Sequence, residues 1–340
     1  MNNSKETIRI MEVCGTHTHS VARYGIRNII PKRVKLLSGP GCPVCVTEEA
    51  YIDTAIDLLM RENVIIVTFG DMLKVRGTHL SLSEVKSDNV YTVYSPEAAV
   101  TLATNNKDKT VVFLAVGFET TAPLIAATIK KAYENGVSNL FFLTSLKRME
   151  PVLRLILEDK RNRIDGIICP GHVATVIGSE AFAFITDEFR IPAAICGFGA
   201  EDITYCIYHL LGQISGIKPV SFTNLYERYV SSSGNKLARQ YLEEVFETAN
   251  GNWRGIGQIA SSALVINEKY KGLDACCNFG IAEKIQDNPT ACRCSEIILG
   301  IKNPNECNYF GKSCTPDNPL GPCMVSSEGA CAAYYKYRRG

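Results

Sequence analysis

The chain has 340 residues, with 36 Lys plus Arg against 35 Asp plus Glu and a formal net charge of +1. Its 46% hydrophobic content is ample for packed cores and excludes a disordered chain. Near-zero charge argues against a nucleic-acid or anionic-membrane binder, and no stretch approaches the ~20 apolar residues of a membrane span. The polar start, Met1 to Glu6, runs straight into a strand-like segment without a signal-peptide pattern, so a soluble cytoplasmic protein is expected. One anomaly stands out: 14 cysteines. In a cytosolic chain that number points to metal or redox chemistry before structural disulfides.

Residues 8 to 218 read as alternating strand and helix. Ile8–Val13 and Val34–Leu37 are short apolar runs, and Val64–Gly70 is β-branched, continuous and closed by glycine, the pattern of a buried strand. Thr110–Gly117 repeats it, followed by Leu140–Leu143, Ile164–Cys169 and Pro192–Cys196. Helical segments are predicted at Glu48–Arg61, Ala122–Tyr133 and Glu201–Leu211. Alternation of this kind implies parallel sheets covered on both faces. The run divides near Ser95-Pro96 into two similar α/β domains, expected at 1–100 and 101–218. After Pro219 the character changes. Leu237, Tyr241, Leu242, Val245 and Phe246 mark an amphipathic helix, and Trp253–Ile266 a strand or sheet edge. Beyond Asn278 periodicity fades, and five of the 14 prolines fall between 289 and 322. A stretch that long without its own core needs another staple, such as a metal. A third, irregular α+β domain is therefore expected at 219–340.

Four groups of residues carry chemistry. Cys294, Cys307, Cys314 and Cys331 offer four thiolates in Pro/Gly-rich coil, suited to a [4Fe–4S] cluster or a zinc ion. Spacing alone does not choose four of the eight cysteines between 276 and 331; Cys323 competes, and the adjacent Cys276 and Cys277 are poor joint ligands. Gly39-Pro-Gly-Cys-Pro-Val-Cys45 places Cys42 and Cys45 as a C-x-x-C at the start of a helix after a strand. There a helix N-terminus favours thiolate and the pair can close into a disulfide and reopen; the bland alternative is half a zinc site. Cys14-Gly-Thr-His-Thr-His19 follows the first strand, with a thiol and the imidazoles of His17 and His19 at transition-metal spacing. Either histidine alone is as readily a structural one. Gly117-Phe-Glu-Thr-Thr121 and Pro170-Gly-His-Val173 both follow apolar strands, which places Glu119 and His172 at the carboxyl edge where open sheets bind ligands. There Glu119 suits acid–base work, His172 a proton carrier or ligand, and Thr121 simple helix capping. If the two domains face each other, Cys14, Cys42, Cys45, Glu119 and His172 converge on one cleft.

Together with Met11-Glu-Val before Cys14 and Ser326-Ser-Glu-Gly-Ala-Cys331, these strings resemble the HypD family of hydrogenase maturation factors, in order and over nearly the whole chain. The resemblance implies two Rossmann-like α/β domains and a third domain holding a [4Fe–4S] cluster. It implies a scaffold for the Fe(CN)2CO unit of [NiFe] hydrogenases, partnered by the small chaperone HypC and supplied with cyanide by HypE, on carbon delivered through HypF. Carried over residue by residue, Cys14 matches the family's iron-binding cysteine, Cys42 and Cys45 its redox dithiol, and Glu119 and His172 its cleft motifs. The cluster ligands fall on Cys294, Cys307, Cys314 and Cys331, with Glu328 a further functional candidate. Cys276, Cys277, Cys292 and Cys323 have no place in that pattern. Two other classes compete: a cluster-linked thiol–disulfide oxidoreductase acting on a small molecule, and a zinc-stapled assembly protein without redox role. The lack of a Gly-x-Gly-x-x-Gly nucleotide motif speaks against a free-standing enzyme.

Overall fold

The computed structural model describes residues 7–159, 161–281 and 292–338. The Met1–Glu6 segment read above lies outside them. Eleven strands are described: β1 (Ile8–Glu12), β2 (Val34–Ser38), β3 (Val64–Thr68), β4 (Val90–Thr92), β5 (Thr110–Gly117), β6 (Leu140–Lys147), β7 (Gly166–Cys169), β8 (Ala193–Ile195), β9 (Phe222–Asn224), β10 (Phe246–Trp253) and β11 (Gly257–Ile266). Strands β3 and β5 are buried along almost their whole length, which is why their sequences are continuous apolar runs. The helix Ala122–Glu134 buries Ala122, Ile125, Ala126, Ile129 and Ala132, a stripe at helical spacing. Each fully buried Ile or Phe of such a stripe or strand contributes roughly 1.5–3 kcal/mol.

The strands form two sheets in two compact units. Unit 1 comprises Met1–Cys42, Val152–Asn235 and Ala291–Gly340; unit 2 comprises Pro43–Pro151 and Lys236–Thr290. This differs from the contiguous division at 1–100, 101–218 and 219–340. Pairing explains the difference: β1 takes β7 as a neighbour, with Ile10 opposite Gly166, so the first strand belongs with segments far along the chain. The region expected as a third domain is shared out. Its helix Lys236–Val245 and hairpin β10–β11 complete unit 2, and its cysteine-rich end joins unit 1.

Unit 1 holds a five-stranded sheet in the order β2-β1-β7-β8-β9, parallel throughout. Counted within the unit, this is the doubly wound order 2-1-3-4-5, whose ligands bind beyond the carboxyl ends of the first and third strands, where the order reverses. Helices Gly15–Arg23 and Ala200–Ile214 cover one face through Val21, Ile203, Ile207 and Leu210, packed on Ile10, Leu36 and Ile168. Unit 2 has the order β10-β11-β6-β5-β3-β4. Its strands β4, β3, β5 and β6 are parallel and repeat the 2-1-3-4 pattern; β11 then pairs antiparallel with β6, and β10 with β11. The two sheets are alike in order as far as the fourth strand, although each draws strands from both of the segments, 1–100 and 101–218, that were expected as similar domains. Among the described residues no helix is long and apolar enough to cross a membrane.

Candidate functional site

In unit 1 the reversal point lies between β1 and β7, and Cys14 comes two residues after β1. It occupies the N-cap position of the helix Gly15–Arg23, with extended backbone. The amides of Thr16 and His17 donate to its sulfur, which favours thiolate, yet burial outweighs them and pushes the thiol up to about 12. Glu12 and Glu328 add to the rise by like charge. Glu12 is itself buried, and desolvation lifts its carboxyl to about 7. Its oxygens accept the Thr18 hydroxyl at 2.5 Å and the Cys14 amide at 3.2 Å. The Gly39–Gly41 turn after β2 presses on this loop: the Gly15 amide donates to the Gly41 carbonyl at 3.2 Å. A Cβ on Gly41 would stand 2.4 Å from the Gly15 nitrogen, and one on Gly39 2.7 Å from Val13 Cγ1. Only glycines allow the approach, which sets Cys42 one residue beyond the contact. From the other side, a Cβ on Gly15 would meet Glu328 Cβ at 2.7 Å, so the Ser326–Glu328 segment also lies against the Cys14 loop.

The histidines are held by different neighbours. His17 is fully buried; its Nε2 donates to the Gly197 carbonyl at 3.1 Å, with Cys196 Sγ at 3.7 Å. That bond leaves Nδ1 as the acceptor nitrogen, buried and without a partner among the described residues. Phe198 lies beside both His17 and His172, with ring centroids at 4.6 and 4.2 Å. Burial holds His172 below the usual imidazole range, so it is neutral at pH 7. His19 packs edge-on to Tyr337, and burial, then the charge of Lys336, lowers its pKa. Cys14, the Gly39–Gly41 turn, His17 and His172 thus share the carboxyl edge of one sheet, whereas His19 faces the C-terminal segment.

Cys42 and Cys45 are joined as a disulfide at the start of the short helix Pro43–Val46, and both are buried. Within unit 2, the helical turn carrying Cys45 is braced by Arg254, whose amide donates to the Val46 carbonyl at 2.9 Å and whose guanidinium pairs with Glu49 at 2.8 Å.

At the reversal point of unit 2, Glu119 follows β5. It is buried, accepts the Met149 amide at 2.8 Å on Oε1, and desolvation raises its carboxyl to about 7. Its Oε2 has no partner among the described residues. Such a carboxyl exchanges a proton near neutrality. Thr121 holds the N-cap position of the helix Ala122–Glu134 but makes no capping hydrogen bond; it packs on Gly117, where a Cβ would stand 2.6 Å away. Sequence reasoning missed a neighbouring pair: Lys147, buried at the end of β6, reaches Glu48 at 3.1 Å. The signal was a lysine closing the apolar run of β6. Both line a cavity of about 280 Å³ with Tyr51, Ser145, Asn250 and Asp274.

The C-terminal cysteines divide by place. Cys276 and Cys277 lie on the helix Ala275–Phe279 of unit 2. In unit 1, Cys294, Cys307, Cys314 and Cys331 line one small cavity, and Cys292 joins them. Burial raises Cys331 well above the usual thiol range, and the other four thiols raise it further. Cys323 is buried outside that lining. Five thiols about one small space are enough for a group that binds four thiolates and relieves their mutual repulsion. Among the described residues, no three His, Cys, Asp or Glu side chains are close enough to hold a single metal ion. Cys292 lay two residues from an expected ligand, and sequence spacing could not rank the two.

Comparison with known proteins follows these features. Residues 1–338 match the family model described as "HypD: Hydrogenase formation hypA family". The hydrogenase maturation factor HypD of Escherichia coli K12 is 40% identical over 342 residues, covering 99% of this chain and 91% of that protein. HypD of Azotobacter vinelandii is 40% identical over 344 residues (98% and 90%), and HypD2 of Bradyrhizobium diazoefficiens 39% over 346 (98% and 90%).

Proposed function

Because this chain belongs to the HypD family, whose role is hydrogenase maturation, we propose that it is a redox-active scaffold on which the Fe(CN)2CO unit of [NiFe] hydrogenases is assembled. The observation that carries this reading is the Cys14 thiol: buried at a helix N-terminus, at the reversal point of a parallel sheet, with the Gly39–Gly41 turn pressed on its loop. Iron is the cargo, and Cys14 is its anchor. The Thr16 and His17 amides that reach the sulfur are placed to stabilise the thiolate once iron replaces the proton. His17, through Nδ1, and His172 are the candidate donors on the same edge; His19 is an expected ligand whose contacts lie toward Tyr337.

Once reduced to the dithiol, Cys42 and Cys45 would supply two electrons. Opening their disulfide takes up two electrons and two protons, and re-closing it returns them. Four of Cys292, Cys294, Cys307, Cys314 and Cys331 would hold a [4Fe–4S] cluster, which when bound supplies one-electron transfer at low potential. Glu119 handles protons in unit 2, since its buried carboxyl changes charge near pH 7. The partners are a HypC-type chaperone and a HypE-type cyanide donor, with no nucleic acid or membrane involved. Infrared spectroscopy of the anaerobically isolated complex tests the reading. Wild type should show Fe–CO and Fe–CN bands, and Cys14→Ala should lose them while keeping its fold; bands retained in the variant would overturn it.

The disulfide also favours a second reading, a cluster-linked thiol–disulfide oxidoreductase acting on a small molecule. Steady turnover of a small disulfide by a protein lacking the infrared bands would select that reading.

A further inference from the structure

Unit 1 contains a second cavity, of about 460 Å³, that none of the chemistry above uses. It lies where the helices Gly15–Arg23 and Ala330–Lys336 end, and its wall includes Arg27, Asn28, Asn305, Tyr334, Tyr337 and Arg338. Among the described residues no acidic side chain lines it. Its size falls within the range of small-molecule sites.

Arg27 gives the cavity its chemistry. The guanidinium lies 4.2 Å from the centre of the Tyr334 ring, which fixes its plane. Its Nε and Nη2 are buried and have no hydrogen-bond partner among the described residues. These two nitrogens form the side-on fork of arginine, whose parallel hydrogens match the two oxygens of a carboxylate or phosphate. The bland reading is that Arg27 merely neutralises Glu12, whose carboxyl feels its charge, and bonds the Tyr334 hydroxyl. Glu12, however, directs its oxygens to Thr18 and to the Cys14 amide. A buried Nε and Nη2 without partners are costly, and a cavity with two guanidiniums and, among the described residues, no carboxylate in its wall offers the remedy. The carbonyl ends of two short helices oppose an anion there, but a helix-end partial charge is weaker than two charge-assisted hydrogen bonds. Tyr334, Tyr337 and Phe310 add flat apolar surface.

We propose that this cavity binds a small molecule carrying a phosphate or carboxylate head on a flat apolar body, with the head on the Arg27 fork and the body against the tyrosines. The helices that end at the cavity start at Cys14 and at the turn holding Cys331, so an occupant would bear on both.

Calorimetric titration of the intact chain with phenyl phosphate, benzoate and inorganic phosphate tests this, with phenol as the uncharged control. Phenyl phosphate or benzoate should saturate one site, more tightly than inorganic phosphate or phenol, and the tighter of the two identifies the head. Arg27→Lys keeps the charge and loses the fork, and should weaken binding at least tenfold. If Arg27→Lys does not fold, Arg338→Gln and the salt dependence of wild-type binding replace it; both should show weakening. Any of three results would overturn the proposal: no saturable binding of either aromatic anion, phenol binding as well as they do, or affinity indifferent to both the substitutions and salt.

Discussion

The two sheets share a strand order through their fourth strand and share a reversal point, yet they carry different chemistry there. After the first and third strands of unit 1 come Cys14 and His172; at the matching places in unit 2 come Phe69-Gly70 and Glu119. One edge is soft, made of a thiol and imidazoles beside a disulfide cysteine. The other is hard, made of a carboxyl raised to about 7 and the pair of buried Lys147 with Glu48. Topology fixes where ligands bind, and the first side chains past the strand ends decide what binds. In this chain the thiol and imidazoles lie at the edge of one sheet, and the carboxyl with the raised pKa at the edge of the other.

The largest effect expected from breaking the comparison is all-or-none. If the proposed cluster gives anaerobically prepared protein a brown colour, Cys331→Ala should abolish it and Cys323→Ala should keep it, because of these two only Cys331 lines the cavity. Visible spectra decide; with Cys294, Cys307, Cys314 and Cys331 as the ligands, Cys294→Ala should also be colourless and Cys292→Ala coloured.

Next comes Glu119→Gln. The folded chain holds this proton to about pH 7, while the unfolded chain releases it near the ordinary carboxyl value of about 4.5. The native state therefore binds the extra proton between those values, and its stability falls as pH rises through that window. Removing the carboxyl should stabilise unit 2 by on the order of 3 kcal/mol at pH 8 and by little at pH 4. Urea denaturation at the two pH values measures it; an unchanged pH slope would show that Glu119 is not held protonated.

Gly41→Ala comes third, since its Cβ cannot fit beside the Gly15 amide. About 2–3 kcal/mol of destabilisation is expected, together with weakened metal binding at Cys14, and a thermal melt of the variant checks the first part. Lys147→Met should have the smallest effect, about 2 kcal/mol. It leaves Glu48 without its cation, but Glu48 is one-quarter exposed and water recovers part of the loss. Denaturant midpoints would show whether unit 2 alone is weakened.

Some of this was legible in the residues. Strand β5 was predicted at Thr110–Gly117 and occurs there, and the helix after it begins at the expected Ala122. Burial on both faces leaves a continuous apolar run that a sequence shows directly. Which strand neighbours which was not legible: β1 pairs with β7 through contacts that no local pattern encodes, so contiguous domains were the natural expectation. At the site, glycines and cysteines in the loops were readable because their chemistry demands those residue types. Glu12 was overlooked although an acid inside the run Ile8–Val13 marks a buried polar group. Phe198 was overlooked because an aromatic after a strand is usually core. Cys292 needed the cavity itself to set it beside Cys331.

The interleaving of the two units has a consequence for synthesis. Strand β1 is made first, yet it sits between β2 and β7, and at ribosomal rates β7 follows it by roughly 10–30 s. Unit 1 therefore cannot close as it emerges. Its opening segment must wait, with an apolar strand exposed, while the intervening stretch folds around its own sheet. The thiols from Cys292 to Cys331 leave the ribosome after every strand of both sheets. Assembly of the cysteine cavity is thus the closing event of biogenesis, and any cofactor destined for it is met by a chain whose two sheets have already been made.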